Sequence, residues 1–426
     1  MPIVTAEHRP PHRRRNSQPP PPPSLHRNLG TIALLILVLF FLFAARIIYS
    51  PLLLSIEQSL GLSHAQAASF FLFTAIGYGA VMVFSGFVAA RIGHRNTILL
   101  SVLLAILGLF ALSLSRSLWQ MRGALMLVGV GAGLYFPSGV PTLTSLVKDS
   151  EQGKALAAHE MGPNLSLVIA PIATVFALRL MSWQTVIFVL ACLGMVVGIL
   201  FLLLAKGGRF RGKAPYLKHA RLILKQPSFW IMTVLFSLGA GAGMGLFAMT
   251  PTYLITERGM DGEMVNTLIG LSRISSLVMV FLSGYLVDRI GFRRVMVATM
   301  LAAGLCTAGM ALRARPFFIT AVFLQPVLVS CFFPAGFTAI ARIASRDMYN
   351  LTISFMFPIG YTFAAGLVPL FLGMLGDRLS FAVGFLVYGA LLAASALLPR
   401  FLKFPGDTTL TSPAKTALGA KKQPQQ

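Results

Sequence analysis

Two stretches decide the fold: Ser85–Asn96, SGFVAARIGHRN, and Ser283–Arg294, SGYLVDRIGFRR. They lie 198 residues apart, and the same shift pairs Gly61 with Gly259 and Lys148-Asp149 with Arg346-Asp347. A shift of 197 pairs Phe136-Pro137 and Gly139 with Phe333-Pro334 and Gly336. Matched glycine, proline and charge positions at one offset mark an internal duplication. Each quoted stretch separates two long apolar runs, so the repeated unit is a set of apolar helices joined by short polar loops.

Composition agrees. Hydrophobic residues make up 56% of the 426 and charged residues 11%, against about 45–50% and about 25% in soluble proteins. Such a chain cannot cover a globule with polar surface, which excludes a water-soluble enzyme. Apolar runs recur from Thr31 to Leu398, which excludes a single anchor. The net charge of +23 would suggest nucleic acid on a soluble chain. Here the cations lie mostly between apolar runs, so the expected partner is the lipid bilayer and no nucleic acid. Cys192, Cys306 and Cys331 all fall within apolar runs with no paired spacing, so no disulfide framework, metal site or cofactor is expected.

A helix needs about 20 apolar residues to cross the hydrocarbon. The chain predicts an all-α integral membrane protein with twelve crossings. Six fall near 31–54, 66–89, 96–115, 118–147, 155–178 and 183–205. Six more fall near 228–254, 264–287, 295–312, 317–341, 351–376 and 380–398. The domains are a basic, proline-rich tail (1–30), a six-helix bundle (31–205), a central loop (206–227), a second bundle (228–398) and a tail (399–426). Both tails read as disordered. A secretory signal is the competing reading of the first run, but it would leave eleven spans and break the repeat.

With the N-terminus cytoplasmic, 26 of the 35 Lys+Arg lie on that side and 7 on the other, with Arg46 and Arg273 inside spans. The positive-inside rule therefore predicts both termini inside. The central loop KGGRFRGKAPYLKHARLILK suits either a short helix on the anionic leaflet, using Tyr216, Leu217, Leu222 and Leu224, or a solvated linker. Ser63 and Gln66 form a capping-box pattern before the second span, and Asp261 can cap the eighth.

On the loop signature G-x-x-x-D-R-x-G-x-R the chain resembles the major facilitator superfamily. The second half carries it fully as Gly284, Asp288, Arg289, Gly291 and Arg293. The first half reads Gly86, Ala90, Arg91, Gly93 and Arg95, with the acid lost. The resemblance covers residues 31–398 and implies two bundles that rock about a central site. It implies close helix approach at the signature glycines, and a latch in which the acid contacts a helix end of the other bundle. Ala90 removes that latch from the first half. A plain topology role for the basic residues is the alternative. Gly129, Gly131 and Gly133 match a stretch often preceded by arginine, but that position is Leu125. Arg122, a turn earlier, is expected to snorkel outward. Gly162-Pro163 is followed by Leu167 and Val168 where an antiporter signature would have glycines, which disfavours drug–proton antiport.

Ionisable groups deep in a span are costly and by default functional. Arg46 lies about 15 residues into the first helix and Arg273 15 residues before Asp288. At about 1.5 Å per residue both sit about 22 Å from the cytoplasmic end. Two guanidiniums on one chamber would bind a carboxylate or phosphate by bidentate hydrogen bonds. The pattern Arg46-x-x-Tyr49-x-Pro51 is similar to anion-transporting branches of the superfamily. Outward snorkelling or pairing with carbonyls is the competing reading. Tyr49, Asn164, Gln325 and Tyr361 are the polar neighbours expected to join a site.

Glu160, preceded by His159, is the acid inside a span clear of its ends. It is the candidate proton carrier if it faces the cavity. Contact with Arg289 or Arg293 is its alternative. Pro137, Pro163, Pro171, Pro334, Pro358 and Pro369 are expected to bend spans. The expected activity is secondary transport of a small organic anion, with protons as the candidate coupling ion, by a monomer in a bacterial inner membrane. Efflux of amphipathic compounds and a non-transporting scaffold or receptor are the alternatives. An enzyme is not expected, because the sequence offers no metal cluster, nucleophile triad or phosphate loop.

Overall fold

The computed structural model describes residues 25–212, 220–343 and 346–403. Among them every regular element is helical. Ten helices are long and apolar enough to cross a membrane, from Leu25–Leu60 to Phe381–Phe401. Of the twelve expected crossings, those near 264–287 and 295–312 are not among these ten. Both segments are nevertheless helical, as Gly262–Ile290 and Phe292–Gly309. The second is only 18 residues long and opens with Arg293 and Arg294, which lowers its mean hydropathy. The 1–30 tail and the 399–426 tail fall mostly outside the described residues.

Helix boundaries follow local chemistry. Ser63 accepts from Gln66 N–H while the Gln66 side chain accepts from Ser63 N–H, so the expected capping box forms. Asp261 accepts from the amides of Glu263 and Met264 at 3.0 and 3.1 Å. Three crossings are interrupted. The first breaks at Ile48 between Leu29–Ile47 and Tyr49–Leu60. Another breaks at Cys331, where Pro334 is the third residue of the new segment Phe332–Ile343. A third widens into a π-turn over Phe363–Leu367 before Pro369 opens Val368–Arg378. Pro137, Pro163, Pro171 and Pro358 lie inside continuous helices.

The duplication extends to backbone conformation. Gly61 and Gly259, 198 residues apart, have φ of 64° and 61°, and Gly93 and Gly291 have 82° and 87°. A side chain at such angles is strained. A Cβ at Gly284 or Gly291 would meet nothing within 4 Å. Close helix approach is therefore not the reason for either of these signature glycines. Gly291, like Gly93, serves the sharp turn between two helices. Close approach governs another set: a Cβ at Gly129 or Gly133 would lie 2.0 or 2.5 Å from the backbone of Thr74 or Tyr78, and one at Gly131 2.6 Å from Ala105. The helix Leu118–Thr144 is thus seated directly on two neighbours, as small residues allow inside a membrane.

Hydrogen bonds define two faces. On one lie both described chain ends and the central segment: Leu25 pairs with Glu151, Lys206 with Thr31, Arg95 with Gly208, and Ser228 with Lys403. We refer to it as the terminal face. Its described bonds join residues of one half to each other or to the central segment. On the far face the halves are joined. Arg179 pairs with Glu263, and the Asp377 carboxylate accepts from the amides of His64 and Ala65 at 2.9 and 2.8 Å. Gly373 packs against Ala68, Gly366 against Ala75 and Gly79 against Thr362, forming a seam of small residues that runs inward from that face.

The central segment is described in two parts. Residues 205–212 run without regular structure, and Ala220–Leu224 is one short helix in which Ile223 is buried and Leu222 exposed. Tyr216 and Leu217 lie outside the described residues.

Candidate functional site

Arg46 occupies the last turn before the Ile48 break and is only 7% exposed. Its Nη1 donates to the Tyr361 hydroxyl at 2.8 Å. Its guanidinium lies 4.7, 4.5 and 5.2 Å from the ring centroids of Phe43, Tyr78 and Tyr361. Ring faces attract a cation without neutralising it. The Nε is buried without a hydrogen-bond partner. Beside it the Tyr49 hydroxyl donates to Thr74 Oγ1 at 2.9 Å. Arg46, Tyr49, Thr74, Phe247 and Tyr361 line a cavity of about 30 Å³, room for about one water.

Arg273 lies on Gly262–Ile290. Its Nη2 donates to the Gly243 carbonyl at 3.2 Å and its guanidinium sits 4.6 Å from the Phe247 ring centroid. Its Nε is also buried without a partner. Arg273 and Gln325 line a second cavity of about 20 Å³, with Phe247 again in the wall. Gln325 Nε2 donates to the Ala242 carbonyl at 2.7 Å. In place of the single chamber expected, the two arginines line two small cavities that share Phe247. Among the described residues, neither arginine forms an ion pair with a carboxylate. Neither turns to the outer rim.

The other expected residues are dispersed. Asn164 lines neither cavity and donates to the Glu160 carbonyl of its own helix at 2.8 Å. The Glu160 side chain is 52% exposed, so the burial expected for a proton carrier is found instead at His159, which is fully buried. His159 Nε2 is 2.8 Å from the Tyr135 hydroxyl, which also donates to the Leu35 carbonyl at 3.0 Å. His159 Nδ1 lies 3.8 Å from Glu160 Oε1. Arg122 is half-buried between Phe73 and the exposed Trp119, and its Nε donates to the Ser69 hydroxyl at 2.9 Å.

The signature loops lie on the terminal face. Arg95 donates to the Leu202 carbonyl at 2.7 Å, and Arg293 to that of Leu402 at 2.8 Å. Arg289 lies over Tyr285, and Asp288 lines a cavity with Arg293 and Arg294. Gly86 and Arg91 close the first-half helix His64–Ile92, which ends at Gly93.

A sequence profile described as Major Facilitator Superfamily matches residues 35–314 and again 257–424. The chain belongs to the major facilitator superfamily. The ten apolar helices fit a multi-pass integral membrane protein of this superfamily. The chain is similar to "Multidrug resistance protein MdtL" of Shewanella oneidensis, 26% identical over 240 residues, 55% of this chain and 60% of that protein. The chain therefore spans about 60% of the length of that relative. It is similar to "Probable nitrate/nitrite transporter NarK2" of Mycobacterium tuberculosis, 25% identical over 62% of this chain and 68% of the relative. "Probable sulfoacetate transporter SauU" of Cupriavidus necator is 23% identical over 82% and 87%. The fold matches the inward-facing, occupied structure of a bacterial homolog to human lysosomal transporter Spinster. The TM-score is 0.76 and the identity 16%, over 89% of this chain and 98% of that one.

Sequence reasoning missed Phe43, Tyr78 and Phe247 around the arginines, and Tyr135 beside His159. Each lies on a different helix from the charge it meets, or a turn away from it. Their only signal in the sequence is an aromatic ring within a span, which many lipid-facing residues share.

Proposed function

We propose that this transporter moves a small organic anion, such as a carboxylate, by alternating access. The observation that carries the reading is the pair of arginines inside spans, Arg46 buried and Arg273 half-buried, each with a buried, unmet Nε donor and no carboxylate partner among the described residues. An uncompensated charge at depth is costly, and an anion bringing acceptor oxygens would relieve it. Arg46, Tyr49 and Tyr361 would bind from one side of Phe247, and Arg273 and Gln325 from the other. Asn164, one turn from the cavity-lining Leu167, would join as the halves separate.

The topology we propose has twelve crossings, Gly262–Ile290 and Phe292–Gly309 completing the ten, and a cytoplasmic terminal face. The distribution of cations supports it, and the bacterial relatives support the bacterial inner membrane. On that assignment the far-face contacts close the extracytoplasmic side. We further propose symport with protons by a monomer, with the His159–Glu160 pair carrying the proton from the cytoplasmic third of the span. The signature loops would act as the switch.

Efflux of amphipathic compounds is the second reading. The rings and thioether of Phe43, Phe71, Met244 and Phe247 around the Arg46 cavity favour it, as does the likeness to MdtL.

The test is uptake of labelled organic acids by proteoliposomes of the full chain. Arg46→Gln and Arg273→Gln should each reduce anion flux at least tenfold, and Arg46→Lys should restore little, because lysine cannot form the planar fork. Anion flux unchanged in both glutamine variants would remove the anion reading, while anion-independent drug efflux would favour the second.

A further inference from the structure

In the first half, the start of His94–Ser113 is covered by the chain itself. His94 N–H donates to the Phe210 carbonyl at 3.2 Å, Arg95 N–H to that of Gly208 at 2.9 Å, and Gly212 N–H to that of Ala89 at 3.1 Å. Among the described residues, the start of Phe292–Gly309 in the second half borders a cavity of about 670 Å³. It is lined by Arg293, Arg294, Arg342 and Arg400, with Asp288 as the acid and Ile290 among its apolar residues. The formal excess is three positive charges.

Several of these groups are held in place. Arg293 donates to the Leu402 carbonyl at 2.8 Å, and Arg342 stacks 4.8 Å from the Phe292 ring centroid. Arg294 and Arg400 are exposed. Large apolar side chains border the charges: Ile290 is 44% exposed, and Phe401, next to Arg400, is 64% exposed. Guanidiniums beside exposed hydrocarbon match a molecule with an anionic oxygen-rich head and an apolar body.

We propose that this cavity binds the headgroup of an anionic phospholipid in the leaflet at the terminal face. Arg294 and Arg400 supply bidentate contacts to phosphate oxygens, while Ile290 and Phe401 lie along the acyl chains. A free phosphate ion shares the head chemistry but gains nothing from the bordering apolar surface, which is why the lipid is favoured. The site is separate from the Arg46 and Arg273 cavities and does not depend on what those carry.

The test uses the full chain in detergent micelles, with bound species counted by native mass spectrometry. Phosphatidylglycerol, phosphatidylcholine and inorganic phosphate are titrated in separate arms. Phosphatidylglycerol should occupy one tight site, and the double variant Arg294→Gln/Arg400→Gln should weaken it about 25-fold, about fivefold per cation. Arg209→Gln, an exposed arginine on the same face of the first half, should leave it unchanged. In the wild-type protein, phosphatidylglycerol should also slow phenylglyoxal labelling of Arg294 and Arg400 but not of Arg209, a readout that needs no variant to fold. Equal binding of phosphatidylcholine, undiminished binding by the double variant, or equal protection by inorganic phosphate would overturn the proposal. The last result would assign the cavity to a soluble anion.

Discussion

Arg46 and Tyr361 join the two halves through a 2.8 Å hydrogen bond between a buried cation and a phenol. The contact lies deeper than the far-face ties of Asp377 to His64 and of Arg179 to Glu263. On the proposed alternating access, opening of the far face would break the outer ties first, and Arg46 would reach a new partner only once Tyr361 withdraws. A candidate binding residue is therefore also a contact between the two halves.

Tyr361→Phe keeps the ring under Arg46 and removes its acceptor. Hydrogen bonds to charged groups contribute about 1.5–3 kcal/mol in water-soluble proteins and less within bundles in a membrane. We expect a loss of about 1–2 kcal/mol, read from denaturation in detergent. Stability equal to the parent would mean that the cation relies on the rings alone.

Asp377→Asn removes the charge that meets the first two amides of His64–Ile92 from across the interface. Together with Arg179→Ala, it should favour an open far face. Spin labels at Leu180 and Met264, both exposed beside the Arg179–Glu263 pair, should show a longer distance population. An unchanged distribution would leave the Gly373–Ala68 seam as the element that holds that face.

Three glycines should respond in three ways to alanine. Gly129→Ala drives a methyl into the Thr74 carbonyl and should cost about 3 kcal/mol or more. Gly291→Ala has open space but φ of 87°, so strain alone should cost about 1–2 kcal/mol. Gly123→Ala, with nothing within 4 Å, should stabilise by about 0.5–1 kcal/mol. Thermal unfolding of the three side by side gives the ranking.

Glu160→Gln should abolish acidification-driven uptake and spare exchange of anion for anion at equilibrium. A pH-sensitive dye inside the vesicles reads the proton movement. Loss of both activities together would make the residue structural instead.

Much of the architecture was legible because it rests on short-range rules. Apolar length sets the helices, Ser63 and Asp261 set their starts, and the 198-residue shift carries over to the φ angles of Gly61, Gly93, Gly259 and Gly291. The two central arginines were legible because charge is rare in lipid. Of their surroundings, Tyr361 was named as a polar group within a span, but Tyr78 and Phe247 were not, since they meet the charges only through packing between helices. Glu160 shows the same limit: position along the helix was evident, but which way the side chain faces depends on neighbours the sequence does not name.

The shared wall at Phe247 has a consequence for how such proteins diversify. Phe247 and the helix Pro227–Thr256 that carries it stand between the two cavities, so on the proposed reading that ring helps set the gap a cargo straddles to touch both charges. A smaller side chain there would widen the passage beside the helix and admit longer molecules, while a rigid larger one would narrow it. Substrate length could thus be retuned at a single position, with both cations and the scaffold that holds them left as they are.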